Sequence, residues 1–299
     1  MQKILILVGK SASNINSFYT KLTELLPKEY EIEKAYFEDI LIDIEDKSVS
    51  ITINNIDIAS YDLVYFRRAG AEFLWLAATI ALYLDSRNVI YYDSAYRDSG
   101  LGNKLYSLVK LAINGLPVIP TMFCYKGNII ANVDTIIEKL GLPMVVKDLH
   151  SQRGLGVSLI KEKADIVKIA TDNPGKRYMF QKFINKKEEY RVLVLGETVG
   201  SYEVKTSSDP NEFRNNVSLG ATEDFKEIES MTEEIKYTSV KSAKVLRIEV
   251  AGVDIILDVN GAVWVLEVNR GPGFTYDSEE SPEMKNVAKY FASVLEKIK

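Results

Sequence analysis

The chain has 299 residues, 46% of them hydrophobic and 26% charged, a composition typical of globular proteins. Its 37 Lys and Arg against 42 Asp and Glu give a formal net charge of −5, so composition gives no general case for nucleic-acid binding. Cys124 has no second cysteine to pair with, the apolar run 4–8 is too short to span a membrane, and no signal-peptide cleavage pattern accompanies it. We therefore expect a cytoplasmic protein of two or three closely packed domains, with no membrane and no nucleic-acid partner.

Strand and helix patterns alternate over the first third of the chain. The apolar run KILILV is followed by an amphipathic stretch at 13–26, the strands EIEKAYF and YDLVYFRR, a helical region around 72–84 and the strand NVIYYD. This alternation predicts a parallel α/β domain over residues 1–97. The turn after the first strand, GKSAS, lacks the G-x-G-x-x-G pattern, so no dinucleotide site is predicted there.

The pattern changes at residue 98 and again at residue 182. A helix, NKLYSLVKLAING, ends before LPVIPT, and the strands TMFCY, PMVVK and VSLI with the helix VDTIIEKLG predict a small α+β domain over 98–181. Hairpins then dominate, beginning with EYRVLVL and TVGSYEVK joined by Gly196-Glu197, which suits a two-residue turn. One charged amphipathic helix, roughly 228–248, precedes the closing hairpin, and the whole predicts an antiparallel-sheet domain over 182–299.

The closing hairpin, GVDIILDVNGAVWVLEVNRGPGF, carries acids within two apolar strands. Asn260-Gly261 predicts a two-residue type I′ turn, which places Asp254 opposite Glu267 with Asn269 on the same face. Facing carboxylates among apolar neighbours need a cation between them or a proton on one of them. Two carboxylates and an amide suit Mg²⁺ or Mn²⁺. The alternative is that one of these side chains points to solvent on a one-sided sheet.

Several features upstream are suited to phosphate binding. Lys147 ends the strand PMVVK, and the polar loop SQRGLG that follows contains glycines that let backbone N–H groups approach an anion. No Walker sequence G-x-x-x-x-G-K-[ST] occurs. Taken singly, the loop fits a plain turn, and Lys104 and Arg191 fit solvated side chains. A single histidine, His150, and a single cysteine argue against a Ser–His or Cys–His nucleophile.

Together these stretches resemble the ATP-grasp superfamily and, within it, the RimK-like carboxylate–amine ligases. The matching stretches are NKLYSLVKLAINGLPVIPT, PMVVKDLHSQRGLGV, MFQKFI, EYRVLVLGETVGSYEVK, FRNNVSLGA, AGVDI and LEVNRGPG. They run from about residue 103 to 273 in the family's order. The resemblance implies a mixed α/β and α+β chain with the ATP-grasp fold: an N-terminal Rossmann-like parallel domain, a central α+β domain and a C-terminal antiparallel-sheet domain, with the ATP cleft between the last two.

The resemblance also implies a role for individual residues. Those contacting ATP would be Lys104 and Lys147 on the phosphates, Ser151, Arg153, Gly154 and Gly156 in a glycine-rich lid, and Gln181, Lys182, Phe183 and Ile184 at the adenine edge. The metal ligands would be Asp254, Glu267 and Asn269, holding Mg²⁺ (or Mn²⁺), with two ions expected. Those acting on the phosphoryl groups would be Lys147, Arg191 and Arg214, with Asn216 contacting phosphate and metal.

Three features depart from the family pattern or lie outside it. Lys182 stands where relatives carry Glu, so adenine contacts there are expected from the backbone. Arg270 stands where many relatives have a small residue, and it would either clamp a substrate carboxylate or pair with a nearby acid. Arg67 and Arg68 end a strand of the first domain, where open α/β sheets bind ligands. They are substrate candidates, the alternative being a solvated pair.

The function implied by the resemblance is ATP-dependent ligation of a carboxylate to an amine. The carboxylate would be phosphorylated by ATP, and the amine would attack the acyl phosphate, giving an amide, ADP and phosphate. The substrates expected are an amino acid or peptide carboxylate and an amine, and a homo-oligomer would fit the family. The alternatives are an ATP-grasp kinase and a nucleotide-binding module without turnover.

Overall fold

The N-terminal layer is a parallel sheet with strand order β2-β1-β6-β7. The structure is a computed structural model that describes residues 2–10, 14–45, 48–98, 104–124, 128–149, 156–172, 176–207, 222–276 and 281–298. The elements of this layer are β1 (Gln2–Val8), α1 (Ile15–Leu25), β2 (Tyr30–Tyr36), β6 (Leu63–Phe66), α2 (Leu74–Ser86) and β7 (Ile90–Tyr92). Strands β1 and β6 are buried on both faces, as their continuous apolar sequences require in a covered parallel sheet.

A three-stranded antiparallel sheet is inserted between β2 and β6, and the sequence patterns above do not predict it. Its strands are β3 (Ile40–Glu45), β4 (Ser48–Ile53) and β5 (Ile56–Asp57). Ile53 pairs with Ile56, so Asn54 and Asn55 form a two-residue turn, both with positive φ (50° and 65°), as asparagine tolerates. Ile51 and Ile53 reach the core of the N-terminal layer, which is why this short sheet is held in place.

The central unit is an antiparallel sheet with strand order β10-β9-β11-β8 and two helices packed on it. Its elements are β8 (Thr121–Phe123), α4 (Val133–Leu140), β9 (Met144–Asp148), β10 (Val157–Ile160), α5 (Lys163–Asp172) and β11 (Tyr178–Lys182). Its core includes Ile136, Val146, Ile166 and Phe180. Helix α3 (Lys104–Ile113) precedes this sheet in the chain, but its Leu111 packs in the core of the C-terminal sheet.

The C-terminal sheet has five antiparallel strands in the order β14-β13-β12-β15-β16. Its elements are β12 (Lys186–Leu195), β13 (Thr198–Thr206), β14 (Thr222–Lys226), α6 (Glu233–Leu246), β15 (Val250–Asp258), β16 (Val263–Arg270) and α7 (Glu283–Ile298). Leu195 pairs with Thr198, so the predicted two-residue turn Gly196-Glu197 is confirmed. Thr232 caps α6 by accepting the Ile235 N–H with its side chain.

Helix α7 connects the C-terminal sheet to the N-terminal layer. Its Val287 and Phe291 lie in one buried cluster with Ile4 and Ile6 of β1 and with Leu193 of β12. The carboxyl end of β6 therefore lies beside the loop that follows β16. None of the helices in the described ranges is both long and apolar enough to cross a membrane.

Candidate active site

A row of four charged side chains crosses one face of the C-terminal sheet. Glu267 of β16 pairs with Asp254 of β15, Asp254 with Arg191 of β12, and Arg191 with Glu203 of β13. Directly paired residues of antiparallel strands project to the same face. The neighbouring residues, such as Val192, point to the other face and pack in the core with α6. We call Glu267, Asp254, Arg191 and Glu203 the charged row.

The closing hairpin produces the predicted pairing of Asp254 with Glu267 by a different route. Leu257 pairs with Val263, and a bulge between Asp254 and Ile255 restores the pairing further along. The predicted two-residue turn Asn260-Gly261 is therefore wrong. The structure has a three-residue loop closed by Asp258, whose carboxylate accepts the N–H groups of Asn260 (2.8 Å) and Ala262 (2.9 Å) and the indole N–H of Trp264 (3.2 Å). Because Asp258 accepts hydrogen bonds from three nearby donors, it stabilises the three-residue loop in place of a type I′ turn.

Asp254 is the most heavily bonded acid of the charged row. It is 6% exposed and accepts Arg191 Nε and Nη2 at 3.1 and 3.2 Å, Lys205 Nζ at 2.9 Å and Asn269 Nδ2 at 2.9 Å. Burial alone would raise the pKa of this carboxyl, but Arg191 and Lys205 outweigh burial and hold the pKa well below its usual range. Asp254 is therefore ionised, and protein cations supply part of the positive charge that the hairpin argument assigns to a metal.

Lys205 is a site residue that the sequence analysis does not single out. It is 5% exposed and lies on β13 two residues from Glu203, hence on the same face as the charged row. A buried lysine needs an acid partner, and the alternation in SYEVK is the signal that would have indicated one. The partner itself, Asp254, is 49 residues away in sequence.

The two predicted phosphate-binding lysines lie near the acids of the row. Burial lowers the pKa of Lys147, the positive charge of Lys104 acts in the same direction, and Glu267 and Asp254 oppose both. These groups are therefore close enough to influence one another's charge. The central sheet supplies Lys147, helix α3 supplies Lys104 at its first residue, and the C-terminal sheet supplies the acids. Lys147 and Lys104 thus lie near Glu267 and Asp254, and Glu189 of β12 acts on Lys147 in the same direction as these two acids.

The predicted adenine-edge residues form the link between β11 and β12. Gln181 is 1% exposed and donates to Thr121 Oγ1 at 2.8 Å, while its Oε1 is buried without a hydrogen-bond partner. The Lys182 N–H donates to the Pro120 carbonyl at 2.9 Å, and the Lys182 side chain is exposed. Phe183 and Ile184 follow in irregular backbone and are half-buried.

The three candidate substrate arginines gather at the loop after β16. Arg67 is 1% exposed and donates to the Pro272 carbonyl and the Tyr276 hydroxyl, each at 3.2 Å. Arg68 donates to the Gly271 carbonyl at 2.9 Å and is partly exposed.

Arg270 is partly exposed at the end of β16, with its guanidinium 5.1 Å from the centroid of the Tyr96 ring. Its Nη1 is buried without a hydrogen-bond partner. The structure therefore brings the end of β6 and the end of β16 together, although their sequences are some two hundred residues apart.

Some predicted site residues lie outside the described residues. These are Ser151, Arg153 and Gly154 of the glycine-rich loop, and Arg214 and Asn216. Gly156, at the end of that loop, is described, and its carbonyl accepts the Asp148 N–H at 2.8 Å.

The donor chemistry of the row fits a hard divalent cation. Asp254, Glu267 and Asn269 offer carboxylate and amide oxygens, and Asn269 bonds Asp254 through its amide nitrogen, which leaves its oxygen for another partner. In the part of the chain that the structure describes, no group of three or more His, Cys, Asp or Glu is arranged to hold a metal. The metal ligands that β15 and β16 provide are therefore two carboxylates and one amide.

Comparison with known proteins identifies the family. The model of the RimK-like ATP-grasp domain matches residues 102–293. A probable alpha-L-glutamate ligase of Aeromonas salmonicida is 28% identical over 85% of this chain and 84% of its own length. Beta-citrylglutamate synthase B of Homo sapiens is 26% identical over 90% of this chain and 70% of its own.

Solved structures share the whole fold. The ATP-grasp ligase PsnB with a minimal precursor has a TM-score of 0.74 at 16% identity, covering 98% of this chain and 99% of that one. A Chryseobacterium gregarium RiPP-associated ATP-grasp ligase with ADP and a leader and core peptide has a TM-score of 0.71 at 18% identity, covering 98% and 97%. The predicted ATP-grasp fold is confirmed, and a second PsnB structure, with a variant of the minimal precursor, contains Mg and ADP. The chain belongs to the RimK-like ATP-grasp family and is a ligase that forms carbon–nitrogen bonds.

Proposed function

We propose that this ligase joins the carboxylate of an amino acid or peptide to an amine through an acyl phosphate. The observation that carries the proposal is the pairing of Asp254 with Glu267 on the sheet face that meets Lys147 and Lys104. The names of the relatives favour amino-acid and peptide substrates, since they include glutamate ligases, a citrylglutamate synthase and a ligase complexed with a leader and core peptide.

The charged row is suited to the phosphorylation of the carboxylate. Asp254, Glu267 and Asn269 would hold Mg²⁺, two ions in all, with Asn216 contributing to the same site. Bound Mg²⁺ reduces the repulsion between the ATP phosphates and the incoming carboxylate. Lys104 and Lys147 would bind the phosphates.

Around these groups, the rest of the nucleotide site would complete the reaction. Arg191 and Arg214 would stabilise the negative charge that develops as the substrate oxygen attacks the γ-phosphorus. The lid residues Ser151, Arg153, Gly154 and Gly156 would exclude water from the acyl phosphate. The backbone at Gln181, Lys182, Phe183 and Ile184 would contact the adenine.

The arginines at the loop after β16 are suited to hold the substrate carboxylate. Arg270 is partly exposed next to Asn269 and has an unpartnered guanidinium nitrogen, so we assign the carboxylate to Arg270, with Arg68 beside it. Arg67 is closed off from solvent, and we assign it to fixing the loop that carries these contacts.

The experiment is a screen for ADP release with ATP and Mg²⁺ over pairs of amino acids, dipeptides and acidic peptides, with product masses measured. We expect ADP only when a carboxylate and an amine are both present, and a product lighter by one water than their sum. Glu267→Gln should lower turnover by roughly 100-fold or more. The control is Glu233→Gln, because the Glu233 side chain is 89% exposed on α6.

Amine-independent phosphorylation of an alcohol would identify a kinase instead. Full activity of Glu267→Gln would remove Glu267 from the metal site.

A further inference from the structure

A cavity of about 770 Å³ lies at the β13–β14 end of the charged row. Its walls come from β13, β14, the loop after β16 and the start of α7, and include Ser201, Glu223, Phe225, Thr275, Pro282 and Asn286. Cavities of a few hundred to 1,000 Å³ are the size that binds small organic ligands. The walls are fixed by a bond between elements, since Asn286 Nδ2 of α7 donates to the Gly200 carbonyl at 2.6 Å.

Three carboxyl groups from three elements influence one another's charge next to this cavity, and one of them, Glu223, lines it. Glu203 of β13 is 3% exposed, and its Oε2 is buried without a hydrogen-bond partner. Burial raises the pKa of Glu203 to about 9, and Glu223 of β14 and Glu283 of α7 act in the same direction. Glu203 shares its sheet face with Ser201 and with its cross-strand partner Phe225, both of which line the cavity.

Glu283 is the second buried acid of this group. It is 4% exposed, and its Oε2 accepts the Thr275 N–H at 2.8 Å and the Ser281 hydroxyl at 3.2 Å. Burial raises its pKa to about 7, and Glu223 adds to that effect. Each of these three acids makes the ionisation of the others more costly. A cation bound among them would remove that cost.

The cations near these acids are already engaged with Asp254. Arg191 of β12 and Lys205 of β13 both lower the pKa of Glu203, but their nitrogens bond the Asp254 carboxylate. The groups that bear on Glu203 are therefore Arg191, Lys205, Glu223 and Glu283. Lys226 also lines the cavity but pairs with Asp224, so among the described residues the acids exceed the uncommitted cations at this end of the row.

We propose that this cavity binds the amine substrate as a primary ammonium, with Glu203 and Glu223 accepting its N–H bonds. The inference rests on the proposed ligase function. It assigns a binding site to the amine substrate, for which the metal site does not account. A metal ion is the weaker occupant, because the described acids include no three-ligand arrangement and the cavity is the size of an organic group.

The location suits the second half of the reaction. An ammonium must lose a proton before its nitrogen can attack, and Glu223, which lines the cavity, would take that proton. The neutral amine then forms the C–N bond, the C–O bond to phosphate breaks, and the amine's remaining excess proton leaves with the phosphate. Glu203 pairs directly with Arg191, so the cavity adjoins the site where the acyl phosphate forms.

The test measures binding of defined probes to the full chain with Mg²⁺ and a non-hydrolysable ATP analogue. The ammonium probes are L-alaninamide and N-acetyl-L-lysine amide, and the uncharged controls are N-acetyl-L-alaninamide and N-acetyl-L-norleucine amide. Calorimetry should show at least one ammonium probe binding wild type, with its acetylated or norleucine control binding roughly 10-fold or more weakly. Glu203→Gln and Glu223→Gln should each weaken that binding by roughly 10- to 100-fold, the range of hydrogen bonds to charged groups.

The variants separate the possible outcomes. Affinity for the ATP analogue should stay unchanged, and Glu233→Gln should bind the probes as wild type does; Glu223→Gln covers the case in which the buried Glu203→Gln variant fails to fold. Unchanged ammonium binding in both Gln variants, or equal binding of the charged and uncharged probes, would overturn the assignment. If ADP release requires an amine but its KM is the same in both variants, the ligase function stands and this inference fails. If ammonium binding follows the prediction while no pair of substrates gives ADP, only the proposed function fails.

Discussion

At the scale of single residues, two carboxyl groups of the same row are held in opposite protonation states. Asp254 bonds Arg191, Lys205 and Asn269, so its pKa falls despite burial. Glu203 is equally buried but faces other acids, so its pKa rises to about 9. Arg191 lies between the two groups. The two pKa values differ because the nearby cations bond Asp254.

Lys205→Met tests how much the buried pair with Asp254 contributes. Methionine keeps the side-chain volume but removes the charge, so Asp254 loses one of its two cations in a buried setting. We expect the free energy of unfolding to fall by about 2–4 kcal/mol, because breaking a buried ion pair leaves an uncompensated charge. Urea titrations at neutral pH measure the change.

The matched control is Lys226→Met on the neighbouring strand β14. Lys226 pairs with Asp224 at the surface, where the side chains are 42% and 68% exposed, so its loss should cost under about 1 kcal/mol. Equal losses in the two variants would mean that burial of the Lys205 pair has no energetic consequence.

At the scale of elements, the closing hairpin shows how a turn and a bulge together set the register. The three-residue loop shifts the pairing by one residue relative to a two-residue turn, and the bulge between Asp254 and Ile255 shifts it back. Without the bulge, Glu267 would not lie on the face of the charged row, where Asp254 is placed by its pairing with Arg191. The predicted pair was therefore correct although the turn that led to it was wrong.

Asp258→Ala and Asn260→Ala discriminate between the two turns. In the structure Asp258 accepts three donors, so Asp258→Ala should lower the free energy of unfolding by about 1.5–3 kcal/mol. Of the two residues predicted to form the turn, only Gly261 has a positive φ, 86°. Asn260→Ala should therefore cost under about 0.5 kcal/mol. A larger loss for Asn260→Ala than for Asp258→Ala in urea titrations would favour the type I′ turn.

At the scale of the whole molecule, the N-terminal layer packs against the C-terminal sheet, although the residues that join them are far apart in sequence. Arg67 lies 3.8 Å from the centroid of Phe18 and 5.0 Å from that of Phe274, and it bonds a carbonyl 205 residues away. Helix α7 shares its core with both β1 and β12. The loop that follows Arg270 is thus held in place by the N-terminal layer, whereas β16, which leads into it, belongs to the C-terminal sheet.

Arg67→Met should weaken this connection. The planar guanidinium lies against the Phe18 and Phe274 rings and donates two hydrogen bonds, so we expect a loss of about 2–4 kcal/mol of unfolding free energy. Arg67→Lys should rescue little, because an ammonium lacks the planar fork. Both variants are measured by urea titration.

Arg87→Met is the control, because Arg87 makes similar contacts at the surface. It bonds the Val49 carbonyl at 3.2 Å and lies 5.3 Å from the Tyr83 ring centroid. Its loss should cost under about 1 kcal/mol. A loss as large as that of Arg67→Met would show that the stacking, and not the burial between layers, sets the effect.

The sequence by itself determined the family, the order of the parallel, central and C-terminal sheets, and the faces of the closing strands. Period-two alternation is local, so the acids of the closing hairpin could be assigned to one face, and the ordered motifs between 103 and 273 indicated the ATP-grasp fold. The small sheet at 40–57 was missed although SVSITI alternates polar and apolar residues and Asn54-Asn55 follows it, which is the pattern of a strand and a tight turn.

Only the tertiary structure decided which charges meet. Lys205 on Asp254, Arg67 under the loop after β16, and Glu283 beside Glu203 join residues dozens to hundreds of positions apart. No local pattern encodes such contacts, because they depend on how separate layers pack and on which buried groups are left to satisfy one another. Protonation states follow from those contacts, so they too were decided by the packing.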